Sequence, residues 1–209
     1  MAERQPARSK PTRSTLVAQR AETTRAALID AARRLFVEKG YFATGTEEIV
    51  AAAGVGTRGA LYHHFAGKDA LFEAVVESVD ERISADMTAA ITSVRDPVEV
   101  LHAGALKWID LAGDPVIQRI ILTDGPAVLG WERWRTMSEE GAYGQTRALL
   151  QAVADAGHLA PHLVSAFAHM ILAAVDEMAI VIARADDPQA ALAEGRVAVE
   201  ELLRRLIVP

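Results

Sequence analysis

Only three residues, Gly54, Val55 and Gly56, separate two stretches that both read as short helices, Thr46 to Ala53 and Thr57 to Phe65. With so short a connection the two helices must meet at a steep angle. Thr46 stands before Glu47 and Glu48, so a hydroxyl is placed to cap the free amides and two carboxylates meet the positive end of the helix dipole. Thr57 is placed to cap the second helix in the same way. Upstream, Leu28, Ile29, Ala32, Leu35 and Phe36 recur at helical spacing above a polar face of Arg25, Asp30, Arg33 and Arg34, and Gly40 supplies a stop. A first helix of about fifteen residues from Thr24 is expected.

Packing the three together gives a helix-turn-helix unit, with Ile49, Val50, Val55, Leu61 and Phe65 facing Leu28, Leu35 and Phe36. That leaves Thr57, Arg58, Gly59, Tyr62 and His63 outward. Such a face suits a major groove. Arg58 can donate a bidentate pair to guanine, Thr57 and Tyr62 can reach phosphate or base edges, and Gly59 lets backbone approach closely. Glycine inside a helix costs about 1 kcal/mol relative to alanine, which points to a steric requirement at Gly59.

The charge distribution agrees. The 209 residues carry a net charge of -6, yet residues 1 to 68 hold 11 Lys+Arg against 6 Asp+Glu, and residues 69 to 209 hold 11 against 22. An acidic body with a basic head approaches a polyanion head first. The absence of cysteine removes disulfides, thiolate catalysis and the common structural zinc sites. No window resembles a signal peptide, and the apolar runs are interrupted by charge well short of the ~20 residues that span a bilayer. The expectation is a cytoplasmic protein with no membrane partner.

Elsewhere the chain reads as helix. Met1 to about Gln19, with Pro6, Pro11, Arg4, Arg8, Lys10 and Arg13, is expected as a disordered basic arm. Gly67 and Lys68 open a longer fourth helix with apolar positions Leu71, Phe72, Val75, Val76, Val79 and Ile83. Breaks follow at Asp96-Pro97, Gly113-Asp114-Pro115, Asp124-Gly125-Pro126, Gly157 to Pro161 and Asp186-Asp187-Pro188. With no strand-period alternation and no internal repeat, the fold class is all-α with about nine helices. The expected divisions are an arm (1–19), a three-helix helix-turn-helix domain (20–68) and a larger helical dimerisation domain (69–209). Two late helices, about His162 to Ala185 and Gln189 to Ile207, are the most apolar, and from Met170 to Ala183 only Asp176 and Glu177 carry charge. A helix apolar almost all round is covered on more than one side, which predicts a homodimer closed as a four-helix bundle.

Residues Thr24 to Phe72 resemble the DNA-binding domain of the tetracycline-repressor (TetR) family of bacterial transcription regulators. The resemblance lies in "AARRLFVEKGY", a second helix of the form T-x-x-x-I/V-A-x-A-G-V, "GALYHHF" and the "K-D-A-L-F" that follows. It implies phosphate contacts from Thr46, Tyr62, His64 and Lys68, and base contacts from Thr57, Arg58 and Gly59 with help from Ala60 and His63. It implies double-stranded operator DNA as partner, and most simply a repressor released from a palindromic operator by a small-molecule effector. From Gly54 to Tyr62 this chain counts eight steps where the family spacing is seven, so the turn holds one extra residue, most simply Gly56. Which of Gly56, Thr57 and Arg58 faces the bases stays open.

The segment "ILTDGPAVLGWERWR", Ile121 to Arg135, resembles a pattern found in a subset of these regulators. Trp108, Trp131, Trp134, Phe167, Met170 and Met178 are candidates to line an apolar effector pocket, with His102, His169, Asp176 or Glu177 fixing its polar end. Each is also an ordinary core or surface residue type. No metal and no cofactor is expected: Pro161 separates His158 from His162, and His162 and His169 lack a third ligand. Two other readings are a helical enzyme acting on a small molecule, for which no nucleophile elbow or phosphate loop speaks, and a ligand-independent DNA binder.

Overall fold

The computed structural model describes residues 13–207. Helix α1 runs from Arg13 to Lys39, starting well before Thr24. Residues 13–19, expected in the disordered arm, therefore extend α1, while residues 1–12 of that arm lie outside the described residues. The extension follows from propagation: once Leu28, Ala31, Ala32 and Phe36 are buried, helix formers such as Ala18, Gln19 and Ala21 add turns without a new nucleation cost.

Short helices α2 (Thr46–Ala53) and α3 (Arg58–His64) follow, then α4 (Lys68–Ile91). Leu28, Phe36, Ile49, Leu61, Leu71 and Phe72 are fully buried between them, with Val50 and Phe65 nearly so and Leu35 and Val55 packed at the margin. This is the inward face expected from the spacing. Phe36, Tyr41 and Phe72 meet with ring centroids 5.1–5.5 Å apart. Because α4 buries Leu71 and Phe72 at its start and Val79 and Ile83 further along, one rigid helix serves both the head and the body.

Two capping expectations are corrected. The N-cap of α2 is Gly45, with Thr46 already inside the helix, and neither Gly45 nor Thr57 at the N-cap of α3 makes a side-chain cap hydrogen bond. Buried Thr44 instead donates to the Gly40 and Leu35 carbonyls, and Thr46 helps to lower the pKa of the Tyr62 phenol.

The body contains α5 (Pro97–Ala112), a three-residue turn α6 (Pro115–Ile117), a π-helix (Gln118–Asp124), α7 (Gly125–Leu129), α8 (Trp131–Asp155), a 3-10 turn (Pro161–Leu163), α9 (Val164–Arg184) and α10 (Pro188–Leu206). Among the described residues ten α-helices stand where about nine were expected, because residues 115–129 break into short pieces around the π segment. Asp96, Asp114 and Asp187 each precede a proline, and each carboxylate accepts two backbone N–H bonds at the helix start. Ile109, Ile117, Ile120, Leu150, Ile182 and Leu203 form the fully buried centre of the body.

The stretch Pro161–Arg184, the 3-10 turn together with α9, is long and apolar enough to cross a membrane by length and composition, although Asp176 and Glu177 lie within it. The helix packs between α5, α8 and α10, yet Met170 and Val181 remain 56% and 48% exposed, and Val197 of α10 is 68% exposed.

Candidate nucleic-acid interface

The α2–α3 connection depends on two left-handed residues. Gly54, the C-cap of α2, has φ 66° and Gly56 has φ 79°. The Thr57 amide donates to the Val55 carbonyl at 3.0 Å, closing a three-residue turn about Gly56. The extra residue thus forms its own tight turn and leaves α3 regular from Arg58. Only glycine takes these angles at little cost.

From this turn α3 presents one polar cluster. Arg58 Nη1 lies 2.9 Å from Glu47 Oε1, its Nη2 lies 3.5 Å from the Tyr62 hydroxyl, and the guanidinium sits 5.8 Å from the Tyr62 ring centroid. The Arg58 guanidinium, and after it the Thr46 hydroxyl, hold the Tyr62 phenol below its ordinary pKa. The same tyrosine, then Glu47, pushes Arg58 up, so its charge is permanent. Thr46, Arg58 and Tyr62 are therefore brought together, joined by Glu47, whose carboxylate the sequence marked only as a dipole partner. Its second role was hidden because it depends on the angle between α2 and α3.

Thr57, Gly59 and His63 are exposed beside this cluster, and Ala60 and His64 are half-buried. The His63 and His64 rings lie edge to face at 5.2 Å. Among the described residues no group of three or more His, Asp or Glu could hold a metal. A Cβ on Gly59 would meet only Thr57 Oγ1 at 3.8 Å. No packing among the described residues requires a glycine there, so a steric requirement at this position would come from an external surface.

Lys68 sits differently from the rest. Its ammonium donates to the Tyr41 and Thr44 carbonyls at 2.9 and 3.0 Å and lies 4.0 Å from the Tyr41 ring centroid. It pins the α1–α2 turn, with one of its three donors left for an outside acceptor. Tyr41 donates its hydroxyl to Asp69, and burial, followed by that carboxylate, raises its pKa.

The effector candidates are not gathered into one chamber. Trp131, His169, Met170 and Glu177 are exposed, and His169 stacks on Tyr143 at 4.3 Å. Trp134 is buried and donates its indole N–H to the Ile121 carbonyl at 2.8 Å. Phe167, Asp176 and Met178 are half-buried on α9, and Met178 packs against Gly195 of α10. His102 borders a hollow of about 350 Å³ with Asp96, Glu99, His158 and Arg204. Trp108 is half-buried, and its indole nitrogen is buried with no hydrogen-bond partner among the described residues. A larger groove of about 540 Å³ between α1 and α4, edged by Arg25, Asp30, Arg33, Glu77 and Arg82, contains none of these candidates.

A basic three-helix head, with a hydroxyl, guanidinium and phenol exposed across a glycine turn and a helical body behind it, defines a helix-turn-helix regulator built to meet DNA. Residues 28–75 match the family model described as bacterial regulatory proteins, tetR family, and residues 98–206 match the tetracyclin repressor-like C-terminal domain. The transposon Tn10 TetC protein of Escherichia coli is 30% identical over 66% of this chain and 69% of its own length. The regulator UidR of Escherichia coli (strain K12) is 33% identical over 39% of this chain, spanning 38% of its own length. The crystal structure of a TetR-family transcriptional regulator from Pectobacterium atrosepticum superposes with a TM-score of 0.79 at 35% identity, over 95% of this chain and 99% of that one. The chain belongs to the TetR family: it is a DNA-binding transcriptional regulator and not an enzyme.

Proposed function

We propose that the protein is a repressor that holds a palindromic operator as a homodimer and is released from it by a small-molecule effector bound in the helical body. The observation that carries the DNA half of this reading is the Thr46–Arg58–Tyr62 cluster on the exposed face of α2 and α3. In the complex Arg58 exchanges its exposed Glu47 partner for a guanine edge. Tyr62, Thr46 and His64 meet phosphate, and Thr57, Gly59, Ala60 and His63 line the groove.

Dimerisation through α9 and α10 is supported by the exposed apolar side chains Met170, Val181 and Val197, which a second copy would cover. Two α3 helices then lie about 34 Å apart, one turn of B-DNA. Support for an effector in the body comes from the unpartnered indole nitrogen of Trp108, since a buried donor without an acceptor costs about 1–3 kcal/mol and a ligand carbonyl or carboxylate would relieve it. Effector binding shifts the dimer only by its difference in affinity for the two forms. The division into a head of residues 20–68 and a body of residues 69–209 belongs to this proposal, with α4 shared between them.

A gel-shift titration of the purified protein on the DNA upstream of its own gene, at two salt concentrations, tests this reading. Salt-sensitive retention of one fragment over random DNA is expected, with the preference lost in Arg58→Ala. Equal retention of every fragment by the wild type would overturn it.

A further inference from the structure

At four places in the body, Pro97, Pro115, Pro126 and Pro188, an aspartate comes one or two residues before a proline, and at three of them that aspartate, Asp96, Asp114 or Asp187, caps a helix. The fourth, Asp124, does not: its side chain makes no cap bond although it precedes Gly125-Pro126. Instead its carboxylate, only 4% exposed, accepts the backbone N–H of Tyr41 at 2.8 Å and the Nε–H of Arg119 at 3.1 Å. Tyr41 stands just after α1, in the turn that carries the chain into α2. A residue of the body thus satisfies a buried amide of the DNA-reading head across 83 positions of sequence.

The surroundings keep this contact in place. Gly40, with φ 83°, lies against Arg119, and any Cβ there would fall on the guanidinium. On the head side Lys68 holds the same turn through the Tyr41 and Thr44 carbonyls. On the body side Asp124 ends a seven-residue π-helix, Gln118–Asp124. That widened segment is anchored by the Trp134 indole, which donates to the Ile121 carbonyl and occupies the space that a side chain on Gly125 would need. Re-threading the segment as α-helix would turn Asp124 away by about 100° for each residue of register. Gly125 and Trp134 therefore set the π-helix, and the π-helix aims Asp124.

We propose that Asp124 is a positioning residue for operator binding: held by Arg119, it fixes each DNA-reading head to the body, so that the spacing of the two heads follows the conformation of the π-helix. Helix α4 is the covalent link, and α1 packs against α6 and the π-helix. Within that packed contact the Asp124 bond to Tyr41 fixes the register of the head against the body. This inference rests on the reading of the protein as a dimer that grips an inverted repeat.

The chain has no cysteine, so one introduced at exposed Ala52 of α2 takes a single spin label on each head. Double electron–electron resonance on the DNA-free dimer is expected to give a narrow distance distribution for Ala52→Cys alone, and a broad one when Asp124→Ala or Arg119→Ala is added. The Arg119 side chain is 39% exposed, so its removal leaves a foldable protein if Asp124→Ala does not fold. Asp124→Asn, which keeps an acceptor for the Tyr41 amide, is expected to restore most of the narrow distribution. On an inverted repeat selected from random DNA by the wild type, Asp124→Ala is expected to bind at least about tenfold more weakly, while its affinity for a single half-site stays within twofold, because only preorganisation of the pair is lost. Unchanged distances, or half-site and full-site affinities that fall together with the melting temperature, would overturn the proposal. Failure of the wild type to select any repeat would instead strike the functional reading, leaving the distance measurement to judge the latch alone.

Discussion

Arg58 is paired with Glu47 in the DNA-free protein, and Glu47 is 78% exposed on the face that would meet a polyanion. Glu47 therefore acts against loose association as well as holding Arg58. Glu47→Gln is expected to raise affinity for random-sequence duplex several-fold and to lower the ratio of specific to non-specific binding, measured by fluorescence anisotropy. Arg58→Ala acts on the other side of the balance. It should cost about 1–3 kcal/mol of discrimination at one guanine position, the usual worth of a bidentate contact. Lys68→Ala should weaken binding to all sequences alike and leave the preference intact, because its ammonium orders the α1–α2 turn and reads no base. Equal selectivity in the Arg58 and Lys68 variants would contradict this division of roles. The outward set from Thr57 to His63 was legible in the sequence because helical spacing fixes which side chains leave a buried face. The pairing of Arg58 with Glu47 was not, since it depends on how two helices meet.

At the scale of elements, the breaks at Asp-Pro pairs were the most readable feature of the body. A carboxylate before a proline carries the cap, and a fixed φ begins the helix. Asp96→Ala, which removes two bonds at the start of α5, is expected to cost about 1 kcal/mol in denaturant unfolding. Leu61→Ala, in the fully buried centre of the head, is expected to cost about 2–5 kcal/mol. A reversed order of these two losses would contradict the burial that separates them. Other elements escaped the sequence for physical reasons. The early start of α1 needs no periodic signal, because exposed turns propagate from a packed helix. The π-helix has a wider period that apolar spacing over seven residues cannot distinguish from α. Asp124 carries the same local signature as the capping aspartates, and only a contact with Tyr41 from the far end of the chain gives it another use.

For the whole molecule, the acidic body and basic head agree with a protein that presents one end to DNA, and the exposed apolar side chains of α9 and α10 are proposed to meet a second copy. Val197→Glu, at a side chain 68% exposed in the single chain, is expected to convert the dimer to monomer in analytical ultracentrifugation while leaving the helical circular-dichroism signal unchanged. On the proposed reading, two heads joined in this way meet two half-sites at a set separation and on one face of the duplex. The central claim is tested most directly by titrating the protein against a selected inverted repeat and against the same two half-sites moved apart by half a helical turn. The account predicts tight, salt-dependent binding to the first and a loss of at least about a hundredfold on the second, since the heads would then face opposite sides of the DNA. Equal affinity for the two duplexes would contradict it.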